Sequence, residues 1–291
     1  MGVEKPLIRP REEWAQGLAP TGSLAPEEDV RFLLVHHTAT PNSSPDSSVA
    51  QLRSFYRYHT GSKDWPDIAY NFLIDSGGQI WEGRAGSLAG PIRGDATGGN
   101  QGFSQLCCFI GDFTSVPPSP AAIESMTRLL AWLADRHAVS LAPGASVTFT
   151  SRGSNRWPKG ETVTTDPIAG HRDMSLTTCP GDAAYALIGA TLLPVARSLT
   201  LAAAPSPTLA PPSTSASSAP SATPQAPSSA VASPASGERA GGGSTGMRES
   251  LLAAGTAVAI GGLAFILRRR MTLMGRRGRH EAGRGGRRSS S

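Results

Sequence analysis

Cysteine is scarce in this chain, with three in 291 residues. Cys107 and Cys108 are neighbours in an apolar run, where a strand would turn them to opposite faces, and Cys179 stands apart. Adjacent cysteines seldom bridge each other, so a disulfide framework is excluded and both read as core residues. An apolar stretch is also missing from MGVEKPLIRPREEW, so no cleavable signal peptide is expected there. Large apolar side chains are nearly absent from about 203 to 245, where Pro, Ser, Ala, Thr and Gly dominate. Such a stretch cannot offset the entropy of folding and reads as an extended, disordered linker. Finally, the formal charge of +5 is not spread over the chain: residues 268–291 carry nine arginines against Glu281, a net +8 that leaves −3 elsewhere. Nucleic acid is thereby excluded as the partner of the folded part.

What is present after the linker is Leu251–Leu267, a run of about seventeen residues without a charge. That is the short end of a bilayer-spanning helix; a buried core helix is the alternative. Arginines begin directly at Arg268, which places the tail in the cytoplasm and residues 1–250 outside. The expected organisation is a globular domain over 1–200, a linker over 201–248, one transmembrane helix over 249–268 and an Arg-rich cytoplasmic tail over 269–291. An external domain without a leader would need another export route. A sortase-type sorting signal would need a Leu-Pro-x-Thr-Gly-like motif, of which Gly243-Ser244-Thr245-Gly246 keeps only Thr-Gly. A permanent single-pass anchor is the better reading.

Within residues 1–200, Arg31–His37 is an apolar run that predicts a buried strand ending in two histidines. Ser47 or Ser48 caps a helix through about His59. Ala69–Asp75 and Gln79–Glu82 flank Ser-Gly-Gly, a hairpin signal. Gln105–Ile110 predicts a strand, and Ser119-Pro120 opens a helix with the stripe Ile123, Met126, Leu130, Leu133 and His137. Val163–Ala169 leads into Gly170-His171, and a last helix follows Cys179-Pro-Gly. Strands interleaved with helices imply an α/β fold, a mixed central β-sheet flanked by helices.

His171 and Cys179 lie eight apart in GHRDMSLTTCPG, where a turn-forming segment lets them converge. A thiolate with imidazoles suits zinc, and His36 or His37 at a strand end could add the third ligand. Spacing alone leaves a satisfied core or surface histidine as the commoner explanation.

Four ordered motifs add to this: VHHTA at 35–39, DIAYNFLID at 67–75, WEGRAG at 81–86 and GHRD-x5-CPGD at 170–182. They resemble the peptidoglycan recognition protein family, which is similar to phage lysozyme-type N-acetylmuramoyl-L-alanine amidases. The resemblance runs from Leu7-Ile-Arg-Pro-Arg-Glu-Glu-Trp14 to about Tyr185. It implies a bound Zn2+ held by His36, His171 and Cys179, with Tyr70 and Thr177 as catalytic residues that hydrogen-bond the attacking water or the developing oxyanion. It also implies cleavage of the amide between N-acetylmuramic acid and L-alanine in peptidoglycan; with the C-terminal span, the expected protein is a membrane-tethered enzyme, and a monomer is expected. A peptidoglycan-binding module that does not cut is the alternative. Non-catalytic members lose the ligand cysteine, which is present here. The cytosolic muropeptide-recycling branch has Asp for that cysteine and a glutamate where Cys108 stands, so it fits poorly.

Other residues carry weaker expectations. His37 faces away from His36 and packs or makes a supporting hydrogen bond. Arg172 and Asp173 support the His171 loop. Trp65, Trp81 and Arg84 could line a sugar–peptide groove, with the core as the alternative for the two tryptophans. The family's Gly-Ala-His is replaced by Arg93-Gly94-Asp95-Ala96, which puts substrate geometry in question, and disulfide cysteines near the first helix are missing. The second point suits a bacterial-type member, as does SRGSNRWPKG at 151–160.

Overall fold

Every residue of Phe32–His37 is buried, which requires a strand covered on both faces by other layers. The computed structural model describes residues 2–27 and 29–203. Its elements in chain order are β1 (Ile8–Arg9), α1 (Arg11–Ala15), β2 (Phe32–His37), α2 (Ser48–Gly61), β3 (Phe72–Ile74), β4 (Ile80–Glu82), β5 (Ser104–Phe109), α3 (Pro120–Arg136), β6 (Val147–Thr150), β7 (Thr162–Thr165), β8 (Ile168–Gly170), α4 (His171–Met174), α5 (Asp182–Leu187) and α6 (Leu193–Ala203). A π-helical turn over Ile188–Leu192 joins the last two.

Six strands form one mixed sheet in the order β1-β4-β3-β5-β2-β8, and β6 pairs with β7 as a separate antiparallel hairpin. Only the β3–β4 pair within the large sheet is antiparallel. The Ser-Gly-Gly turn therefore makes the expected hairpin, though its first strand begins at Phe72 rather than Ala69. α3 begins as its cap predicts, with the Ser119 hydroxyl accepting from the Ala122 N–H at 3.1 Å. The run Val163–Ala169 is two strands, because Pro167 removes a ladder donor and separates β7 from β8.

The strand period sorts the two faces. Leu33, Val35, Phe72, Ile74, Cys107 and Phe109 point to the layer of α3 and α6, where Met126, Leu130 and Leu133 are buried. Leu73, Cys108 and Ile110 point the other way, onto Trp14, Leu52, Phe55 and Tyr56 of α1 and α2. Cys107 and Cys108 are buried free thiols on opposite faces, as expected. On the face of Phe32, Leu34 and Leu106 sits a third cluster built with Phe149, Val163 and Met174.

Trp81 belongs to the core rather than to a groove: it is 7% exposed and its Nε1 donates to Asp75. Asp182–Ala203 is long and apolar enough to cross a membrane by length and composition alone. Here it packs on α3, burying Ala184, Ile188, Leu192 and Ala196 as one stripe at fourfold spacing. The linker, the transmembrane helix at 249–268 and the basic tail lie outside the described residues, save that Leu201–Ala203 completes α6.

Candidate metal centre

β2, β5 and β8 are neighbouring parallel strands, so their carboxyl ends share one edge, the place where open α/β sheets build sites. His36 sits near the end of β2, and His171 follows directly on β8 as the first residue of α4. Cys179 comes back to the same point on the loop before α5. His36 Nδ1 and Cys179 Sγ are 3.7 Å apart, and the His36 and His171 ring centroids 4.6 Å apart. One ligand atom from each of His36, His171 and Cys179 falls within 4.8 Å of the others.

Alternation along β2 separates the two adjacent histidines. His36 faces the α2 side and the cluster. His37 faces the α3 side, where its Nδ1 accepts the Phe113 N–H at 3.3 Å. The backbone of His37 nevertheless serves the centre: its N–H donates to Cys179 Sγ at 3.4 Å.

A histidine buried for packing has its ring nitrogens satisfied. His36 is fully buried, yet its Nε2 has no hydrogen-bond partner among the described residues, and Nδ1 faces the thiol. That is the signature of a ring placed for a ligand rather than held by hydrogen bonds. Two imidazoles and a thiol suit a borderline-soft divalent ion, so the residues present fit a metal.

Burial, followed by the charges of His171 and His37, holds His36 well below the ordinary imidazole value. His171 is lowered to about 4, chiefly by burial. Both are neutral at pH 7, the form that ligates. Burial raises the Cys179 thiol to about 12, with the His37 N–H opposing it. Its proton must leave when a cation binds.

The segment around His171 is pinned by the residues expected to support it. Asp173 Oδ2 accepts the Gly170 N–H at 2.8 Å and Oδ1 accepts the Tyr185 hydroxyl at 2.7 Å. Arg172 pairs with Asp182 at 2.7 Å, donates to the Thr178 carbonyl and lies over the Tyr185 ring. Gly181 adopts φ +87 with Phe113 packed so close that a Cβ would lie 2.4 Å from its carbonyl, so the chain turns there without a side chain.

Tyr70 lies beside His36, ring centroids 5.3 Å apart. Burial, then Cys108 and Cys179, push its hydroxyl well above the ordinary phenol value. It is protonated at neutral pH. Thr177 is exposed, and its Oγ1 accepts the Cys179 N–H at 3.2 Å, which leaves the hydroxyl proton free to donate.

His59 closes the core-facing side of α2. It is 6% exposed, accepts the Ala69 N–H on Nδ1 at 3.1 Å, and lies between Trp65 and Tyr70 at 5.1 and 5.8 Å. Its spacing from Tyr70 crosses a loop, so no periodicity could reveal the contact. Arg84 is buried, donates to the Ile68 carbonyl, and pairs with Asp95 at 2.5 Å. The departure at Asp95 thus has a partner in the WEGRAG motif.

The sequence profile described as N-acetylmuramoyl-L-alanine amidase matches residues 26–182. Mouse peptidoglycan recognition protein 1 is 32% identical over 184 residues, covering 62% of this chain and 86% of that protein. Pig N-acetylmuramoyl-L-alanine amidase is 31% identical over 188 residues, covering 63% of this chain and 27% of that one. Among solved structures, Drosophila peptidoglycan recognition protein SA has a TM-score of 0.50 at 25% identity, covering 65% of this chain and 93% of that chain.

Proposed function

The chain belongs to the N-acetylmuramoyl-L-alanine amidase family, and on that premise we propose that it is a zinc hydrolase cutting the amide between N-acetylmuramic acid and L-alanine in peptidoglycan. The observation that carries this reading is the convergence of His36, His171 and Cys179 beside Tyr70. These three residues would hold Zn2+. When bound, zinc supplies Lewis-acid chemistry that activates water and polarises a carbonyl at neutral pH.

The other residues position and stabilise. Tyr70, kept protonated by its surroundings, donates a hydrogen bond to the oxygen that gains charge as the amide is attacked. Thr177, whose Oγ1 is fixed by the Cys179 N–H, offers a second donor. His37 keeps the Cys179 sulfur in place from the backbone. The half-buried Asp173–Tyr185 contact holds the loop that carries His171. The amidase domain over 1–200 is tethered by the hydrophobic run at 251–267, which confines it to nearby wall and raises local concentration without altering the chemistry.

Purified protein incubated with peptidoglycan should release stem peptides beginning with L-alanine, lose this with a chelator, and regain it with Zn2+. Cys179→Ser should abolish release. A Cys179→Ser chain that cuts as well as wild type contradicts the zinc assignment, and a zinc-loaded wild-type chain that binds peptidoglycan without cutting is a recognition protein.

A further inference from the structure

The loop at 151–160 is absorbed by none of the roles above, yet it hydrogen-bonds four of the seven residues between His171 and Cys179. Ser154 Oγ donates to the Met174 carbonyl at 2.6 Å, and Trp157 Nε1 donates to the Asp173 carbonyl at 2.7 Å. Arg156 Nη1 donates to the Arg172 carbonyl at 2.9 Å. Asn155 Oδ1 accepts the Leu176 N–H at 2.8 Å, and its Nδ2 donates to the Leu176 carbonyl at 3.5 Å. Backbone groups of residues 172, 173, 174 and 176 are each satisfied by a side chain of residues 154–157.

The segment's own hydrogen bonds order only part of it. α4 has four residues, too few for a helix to hold by its own hydrogen bonds. Its internal ties are few, among them Ser175 N–H to His171 O and Arg172 N–H to Cys179 O, both 3.0 Å. The loop, by contrast, is anchored on both sides. Ser154 Oγ accepts the Arg156 and Trp157 N–H groups at 3.2 and 3.0 Å, closing the turn on itself. From the other side, buried Asn100 Oδ1 accepts the Arg152 N–H at 2.8 Å, and the Gly99 N–H donates to Gly153 O at 2.7 Å. β6 and β7 hold both ends of the loop together.

We propose that the loop of residues 151–160 is a clamp that pre-orders the His171–Cys179 segment for the metal, with Ser154, Asn155 and Trp157 as positioning residues. The inference rests on the metal reading of the preceding subsection. A segment already in its bound shape loses less freedom on binding, so the clamp acts on metal affinity rather than on the chemical step.

The test uses the full chain with Ser154→Ala, Asn155→Ala and Trp157→Phe, plus Ser154→Thr, which keeps the hydroxyl. Amide hydrogen exchange is measured on the metal-free protein, and the Kd for Zn2+ by competition with a chromogenic chelator. Exchange across 172–178 should rise about tenfold or more while β2 and β5 stay protected, and Kd should weaken roughly tenfold per variant. Ser154→Thr should restore both. Unchanged exchange, or faster exchange with unchanged Kd, overturns the clamp. Should Trp157→Phe fail to fold, the exposed Asn155 decides. A wild-type chain that binds no Zn2+ sinks the metal reading, and the exchange measurement still decides whether the loop orders the segment.

Discussion

His36 Nδ1 stands 3.7 Å from Cys179 Sγ although 143 residues separate them. One residue arrives on the central strand, the other on a loop that His37 holds by its backbone N–H. Neither element could place a donor there alone. Removing the sulfur therefore takes away one of three donors while leaving the sheet intact. Cys179→Ser should weaken Zn2+ binding by more than the roughly 10–100-fold that groups merely supporting a ligand cost. Metal content after dialysis, by elemental mass spectrometry, checks this, with circular dichroism confirming the fold.

Tyr70→Phe removes a donor and little volume. Because the hydroxyl acts on charge that develops during reaction, kcat should fall roughly 10²–10³-fold. KM and Zn2+ content should stay near wild type. Steady-state kinetics on a soluble muropeptide separates the two.

The metal-free fold should lose stability in acid. His59, His137 and His171 are lowered to about 4, each chiefly by burial, against an ordinary value of 6.5. Between these limits the unfolded chain binds more protons than the folded one, so stability is full above about 6.5 and falls as pH drops toward 4. Thermal midpoints measured from pH 7.5 to 4.5 should decline, and His59→Gln should flatten the slope.

Arg84 and Asp95 form a pair in which the arginine is 3% exposed and the aspartate 22%. Asp95→Ala leaves a buried guanidinium with the Ile68 carbonyl but no counter-charge. The loss should be about 2–3 kcal/mol, below the ~3–5 of a fully buried pair because Asp95 is partly hydrated. Urea denaturation of the metal-free variant measures it.

These residues differ in how far the sequence disclosed them. The choice of His36 over His37 came with the VHHTA motif, and the mixed sheet followed from strands interleaved with helices. β1 and α1 had no pattern of their own: two and five residues long, they are held by Trp14 Nε1 on the Glu82 carbonyl and by Arg11 on Asp67 at 2.8 Å. Such contacts are long-range and leave no period. Ser154, Asn155 and Trp157 were equally hidden, because their partners are backbone groups sixteen to twenty-one residues away. Asp95 was visible as a departure from the family, but its partner became apparent only when WEGRAG and the following turn were placed together.

The central claim is that this site cuts a specific amide. Mass spectrometry of the soluble fragments released by the Zn2+-loaded protein from purified peptidoglycan reads that bond directly. The account predicts peptides with a free L-alanine amino terminus and glycan strands with intact lactyl carboxylates, both lost with Cys179→Ser. Fragments cleaved elsewhere in the peptide or in the glycan, or none from a Zn2+-loaded protein that binds the wall, would contradict it.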